Sequence, residues 1–331
     1  MADGSKIEWT DSTWNIVTGC SVLSPGCTNC YAMRLAGTRL RDHPSRERLT
    51  QEVNGNHIWT GEVRLNVEWM TQPIQWTKPR RIFVCAHGDL FHDHVPSGWI
   101  DMVFAVMALC PQHIFQVLTK RSGRMRAYLN DPETPQRVAA RILELGPEWG
   151  VRGEAMFEPL AELEDEHQPE HVTWPLSNVW AGVSAEDQER WDERVSDLSE
   201  TLATIRWVSA EPLLGLIEPG PFGLAWVDWL VVGGESGPGA RPMQPDWARG
   251  LRDTALREGA RFHFKQWGVW APKDESPSGD AVRRAESEKS LRVLNAEHGG
   301  RVIMERMSKD RAGRTLDGRT WDEFPEVDNV R

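Results

Sequence analysis

The chain has 331 residues, 40% of them hydrophobic and 26% charged, a globular balance that excludes a disordered or fibrous protein. Lys and Arg number 38 against 49 Asp and Glu, a formal charge of −11, which disfavours coating of nucleic acid or anionic membrane by bulk charge but leaves local basic patches open. No apolar run approaches the roughly 20 residues of a membrane span. The opening MADGSKIEWTD lacks a basic-then-apolar signal, so a cytoplasmic protein without membrane attachment is expected.

A short β-rich run followed by a longer helical stretch recurs along the chain. The expected strands are WNIVTG (14–19), RIFVCA (81–86), IFQVLT (114–119), NVWAGV (178–183), IRWVSA (205–210), WLVVGG (229–234) and RFHFKQ (261–266). Helices are expected near 28–42, 66–77, 97–109, 134–145, 186–200 and 245–258. Strands apolar on consecutive positions and separated by helices predict a parallel sheet covered on both faces. The fold class is therefore α/β: a partial or complete (βα) barrel of about six to seven parallel strands, spanning 1–270. Residues 142–170 carry nine acids against one base and interrupt the alternation, so an acidic surface insertion is placed at about 142–176. Beyond 270, a polar, proline-containing stretch at 271–289 reads as a linker. The end RVIMERMSKDRAGRTLDGRTWDEFP (301–325), with its Asp317-Gly318 turn, reads as a small hairpin extension packed on the barrel.

In such a barrel the active site lies at the carboxyl ends of the strands. Those ends deliver Cys20, His87 and Asp89, Lys120 and Arg121, Ser184 and Glu186, Glu211, Glu235 and Ser236, and Lys265 with Gln266 to one rim. Cys20, Cys27 and Cys30 fall within TGCSVLSPGCTNCYA as C-x6-C-x2-C, and Pro25-Gly26 supplies a bend that brings Cys20 back toward the other two. Three convergent thiols suit a [4Fe–4S] cluster with one open iron, zinc with a fourth ligand from elsewhere, or unligated reduced cysteines. Cys85 and Cys110 sit in apolar runs and read as core. The 17 Trp beside 2 Tyr are expected mostly in the core.

The blocks IEWTDSTWNIVTGCSVLSPGCTNCYA, FVCAHGDLFHDHVP, HIFQVLTKR, VWAGVSAED, WVSAEPLLG, VDWLVVGGESGPGARP, FHFKQWG and LDGRTWDEFP resemble, in order along almost the whole chain, the three-Cys-motif phage protein family of phages and mobile elements. The barrel and cysteine loop in turn resemble the radical S-adenosylmethionine (SAM) enzymes, although those use C-x3-C-x2-C and this loop is three residues longer. The resemblance implies a [4Fe–4S] cluster on Cys20, Cys27 and Cys30, SAM chelated by its open iron, and radical chemistry on a nucleic-acid or protein substrate. DNA repair like that of spore photoproduct lyase, or modification of phage DNA, falls in this class. It also implies an electron donor such as flavodoxin or ferredoxin, and allows a partner protein from the same mobile element. Tyr31 would pack on the adenine, and Ser184, Glu235 and Ser236 would serve the cofactor, since VVGGESGPGARP is similar to the glycine-glycine-glutamate segment of those enzymes.

Other roles follow from position. Glu211, Lys265 and Gln266 interrupt apolar strands and are expected in the barrel mouth as catalytic groups, or as a structural ion pair. Asp89, Lys120, Arg121 and Arg241 are expected to meet substrate, with Lys78, Arg80 and Arg81 as further phosphate contacts; the alternatives are a solvated basic face for these lysines and arginines and a cap on the acidic loop for Arg241. His87, His92 and His94, with Asp89 and Asp93, offer a second metal site or simply solvated and backbone-bonded loop residues. The competing function is a zinc-binding, non-catalytic nucleic-acid or protein adaptor.

Overall fold

The computed structural model describes residues 4–151, 160–161, 171–220, 223–296 and 300–326. Seven parallel strands form one sheet in sequential order: β1 (Ser12–Trp14), β2 (Arg81–Val84), β3 (Ile114–Thr119), β4 (Val179–Ser184), β5 (Ile205–Ala210), β6 (Trp229–Gly233) and β7 (Arg261–Gln266). Their connections carry α1 (Tyr31–Gly37), α2 (Ser97–Ala108), α3 (Ser122–Leu129), α4 (Thr134–Leu145), α5 (Gln188–Ser199) and α6 (Pro245–Glu258). Parallel, sequential strands send every carboxyl end to the same rim.

Alternation along the strands splits the core in two. Val179, Ala181 and Val183 of β4, Val208 of β5, and Leu230 and Val232 of β6 face the large apolar layer beneath the helices. Trp180, Trp207, Trp229 and Val231 face the concave side, where they join Trp9 and Phe83. Gly182 follows from this packing: a Cβ there would stand 2.3 Å from the Trp207 indole.

The sheet curls into a half-barrel whose edges, β1 and β7, do not pair, so the fully closed alternative is not formed. The segment from Trp321 to Phe324 runs along the β7 edge. Phe264 N–H donates to the Trp321 carbonyl at 3.0 Å, which lays the C-terminal segment along β7. Phe324 then packs 5.1 Å from Trp229 and under the Arg81 guanidinium of β2 at 4.1 Å.

Several boundaries differ from expectation. The first strand ends at Trp14, and Val17–Thr18 pairs instead with Arg64–Leu65 in an antiparallel arm. α1 stops at Gly37 because the strand Asn56–Trp59 packs there; a Cβ on Gly37 would lie 2.1 Å from the His57 ring. The expected helix at 66–77 is two short turns, Val67–Trp69 and Gln72–Gln75. The supposed linker at 271–289 is structured: β8 (Trp270–Asp274), β9 (Leu291–Asn295) and β10 (Arg301–Arg306) form an antiparallel sheet with α7 (Gly279–Ser287) against it. The hairpin at Asp317-Gly318 is present, with both residues at positive φ, 53° and 73°, as a two-residue primed turn requires. Of the acidic insertion, Leu160–Ala161 pairs with His171–Val172, while 152–159 and 162–170 lie outside the described residues.

Candidate functional site

A cavity of about 430 Å³ opens at the carboxyl-end rim. Cys20, Cys27 and Cys30 line it together with Lys120, Ser184, Glu211, Glu235, Ser236 and Lys265, and Trp9 and Phe83 of the indole cluster reach it from below. The strand-end rule thus brings most of the expected rim to one cavity, whereas His87, Glu186 and Arg241 are not among its lining residues. Lys78 and Arg80 precede β2 and lie toward the opposite end of the strands, as does Arg81, whose guanidinium pairs with Asp11, so these three are corrected as substrate contacts.

The cysteine loop leaves the sheet through Gly19 at φ 92°, where a Cβ would stand 2.2 Å from the Glu62 carbonyl oxygen, so only glycine passes. Pro25–Cys27 forms one tight turn, and Cys30 immediately precedes α1. All three cysteines are free and half-buried. Burial pushes the Cys20 thiol up to about 12, Asp89 adding to the rise and Arg121 opposing it. Burial likewise raises Cys30, against the Met33 N–H. Cys20 and Cys30 are therefore held as thiols at neutral pH, and a metal would have to displace those protons. Among the described residues no group of three or more His, Cys, Asp or Glu is disposed to hold a metal ion. The donor set itself, three soft sulfur ligands on one wall, suits iron–sulfur or zinc chemistry.

Three clamps from the strand ends hold this loop. In the first, Arg121 pairs with Asp89 at 2.9 Å, both buried, donates to Ser21 Oγ at 2.6 Å, and approaches Cys20 Sγ at 3.7 Å. Asp89 also accepts from Thr119 Oγ1 and from the N–H groups of Phe91 and Lys120. In the second, the buried Glu186 accepts from Gly26 N–H at 2.9 Å and pairs with Arg194 at 3.1 Å. Burial opposes its charge, but Lys120, Gly26 N–H and Arg194 hold it below the usual carboxylate range. In the third, Glu235 accepts from Asn29 Nδ2 and from the Arg241 backbone and guanidinium, and Arg241 also donates to the Pro25 carbonyl. Despite burial, those bonds lower the Glu235 pKa.

Arg121, Glu235 and Arg241 therefore bond the cysteine loop, with Asp89 acting through Arg121, while Asp89, Arg121 and Glu235 also line the cavity. Glu211 lies between Lys265 Nζ at 2.7 Å and Gln266 Nε2 at 3.1 Å, so the ion pair foreseen as one reading of these residues is present on the cavity wall. Tyr31, 43% exposed as a residue, lines the cavity, and its hydroxyl donates to the Ala86 carbonyl at 2.6 Å. Ser184 is buried at the end of β4. The histidine loop is structural among the described residues: His92 Nε2 meets Ser21 Oγ at 3.0 Å, His94 Nδ1 meets the Gly61 carbonyl, and His87 meets Arg46. Cys85 and Cys110 are buried as expected, although Cys85 also lines the cavity.

Ser21, Asn29, His92 and Arg194 were not assigned positioning roles from sequence. Asn29 had a signal, standing between two of the cysteines; Glu186 had another, its place just past β4.

Residues 4–325 match the sequence model of one protein family, described as "Protein of unknown function (DUF5131)". No curated protein matches the chain by sequence. Among solved structures, a mutant of spore photoproduct lyase is similar over 93% of this chain and 74% of its own, at 9% identity and a TM-score of 0.34. So loose a likeness bears on neither mechanism nor substrate. No described helix is long and apolar enough to cross a membrane.

Proposed function

The chain belongs to the DUF5131 family, and we propose that it is an iron–sulfur enzyme of the radical SAM kind, acting on a nucleic-acid or protein substrate of phage or mobile-element context. One observation carries the reading: the three cysteines of a single loop after β1 line one cavity at the carboxyl ends of seven parallel strands. Cys20, Cys27 and Cys30 would hold the cluster. When bound, cluster and SAM supply one-electron cleavage of the sulfonium and a carbon radical that abstracts hydrogen from substrate.

The protein's own residues orient and shield. The Asp89–Arg121, Glu186–Arg194 and Glu235–Arg241 pairs fix the cysteine loop at the Ser21 hydroxyl, the Gly26 N–H and the Pro25 carbonyl. The indole cluster beneath the cavity closes the barrel to water from below. Glu211, with the Lys265 ammonium 2.7 Å away, forms a pair able to give a proton to substrate or take one from it. Tyr31, its hydroxyl fixed on Ala86, offers a rigid ring face for the SAM adenine, and Ser184 and Ser236 add polar groups to the same wall.

Anaerobic purification followed by iron, sulfide and zinc analysis tests this. About four irons and four sulfides per chain are expected, with an electron paramagnetic resonance signal of the reduced protein that changes on adding SAM. Cys20→Ala should lose iron while far-ultraviolet circular dichroism is unchanged. One zinc without sulfide would sink the radical reading and leave a metal-stabilised binding protein.

A further inference from the structure

The charges around the cavity do not cancel. Asp89 is matched by Arg121, Glu235 by Arg241, Glu211 by Lys265, and Glu8 by Lys309 at 3.0 Å. Glu186 is bonded to Arg194, yet Lys120 also acts on it strongly enough to favour its charged form. One buried carboxylate thus faces two cations and bonds only the first. No hydrogen bond or ion pair is made by Lys120 Nζ among the described residues, nor by Lys6 Nζ, and both residues line the cavity. Among the residues that line the cavity, the five cations Lys6, Lys120, Arg121, Lys265 and Lys309 stand against the three carboxylates Asp89, Glu211 and Glu235, a surplus of two positive charges in a chain whose overall charge is −11.

An unbonded ammonium on the wall of a confined cavity invites an anion, because the low local dielectric strengthens the attraction. A lysine is a compact point charge that suits a phosphate, and a phosphate monoester carries about 1.5 to 2 negative charges at neutral pH, close to the surplus. We propose that the substrate of this cavity carries a phosphate ester, held by Lys120 with Lys6 at the mouth. The inference rests on the reading above that the cavity is where substrate reacts, and it names the substrate's recognised group. That group is either the monoester of a free nucleotide, or the diesters of a single-stranded nucleic-acid backbone, which carry one charge each, so that two of them would match the two lysines.

The test is calorimetric binding of thymidine, thymidine 5′-monophosphate and a short single-stranded oligothymidylate to the metal-free protein, at low and high salt. The monophosphate should bind about tenfold more tightly than the nucleoside. The advantage should shrink with salt, vanish in Lys120→Met, and persist in Lys120→Arg. Tighter binding of the oligothymidylate than of the monophosphate identifies the backbone as the source; the reverse identifies the free nucleotide. Equal binding of nucleoside and monophosphate by the unaltered protein overturns the inference without any variant, and so does an advantage that survives Lys120→Met. Metal analysis separates the two readings. An iron–sulfur cluster without phosphate preference removes only this inference, whereas zinc with a Lys120-dependent preference removes only the radical chemistry.

Discussion

The two ends of the half-barrel solve the same packing problem with opposite chemistry. At the amino end the concave face is filled by indoles: Trp9, Trp207 and Trp229 lie within 5.2–6.1 Å of one another, and Phe324 caps Trp229. At the carboxyl end the same face ends in charged pairs that surround a cavity and grip a loop. Indoles give area burial and tight contacts, which reward filling the space completely. Ion pairs give direction at the cost of desolvation, which suits a place where a loop must be held in position while space is left open. The amino end is therefore packed to be filled, and the carboxyl end is braced around open space.

The sharpest way to break that division is Trp207→Ala. The indole is fully buried and its ring is the reason β4 carries Gly182, so truncation should cost about 3–5 kcal/mol in urea unfolding. A cost below about 1 kcal/mol would mean the aromatic layer is not the structural half. Next in size, Glu186→Ala removes one partner of a pair whose side chains are 0% and 2% exposed. It leaves Arg194 charged and buried, an expected loss of about 3 kcal/mol. The variant also releases Gly26, so iron content should fall more than stability predicts. Unchanged iron with reduced stability would show that the pair supports only β4 and α5.

The strands and helices were far more legible in the sequence than the contacts that hold the cysteine loop. β3, β5 and β7 occupy 114–119, 205–210 and 261–266 as their continuous apolar runs predict, and α4 and α6 occupy 134–145 and 245–258. Local patterns encode such elements directly. β1 is displaced because the apolar run after it pairs with a distant arm at Arg64–Leu65. α3, SGRMRAYL, lacks a clean apolar stripe and was missed. The cysteine spacing was visible, but what holds it was not: Asn29 meets Glu235 across 206 residues and Gly26 meets Glu186 across 160. Charged groups at strand ends look alike whether they face a ligand or a loop, and only tertiary placement distinguishes them.

The smallest effect at neutral pH belongs to His92, which ties the carboxyl end to Ser21. Burial and, after it, the Arg121 cation lower its pKa to about 4, against roughly 6.5 in an unfolded chain. Between these values the unfolded state holds more protons than the folded one, so stability falls as the solution is acidified. The contribution of the neutral ring is complete above about pH 6.5, is lost progressively toward pH 4, and does not change further below that. His92→Asn should accordingly flatten part of the pH dependence of urea unfolding between those limits while leaving the slope at higher pH untouched. Since the ring bonds Ser21 beside Cys20, the same variant should weaken iron retention at pH 7.5, where the titration itself contributes nothing. Loss of the acid slope with iron retention intact would place His92 with the stabilising half of the molecule rather than with the cysteine loop.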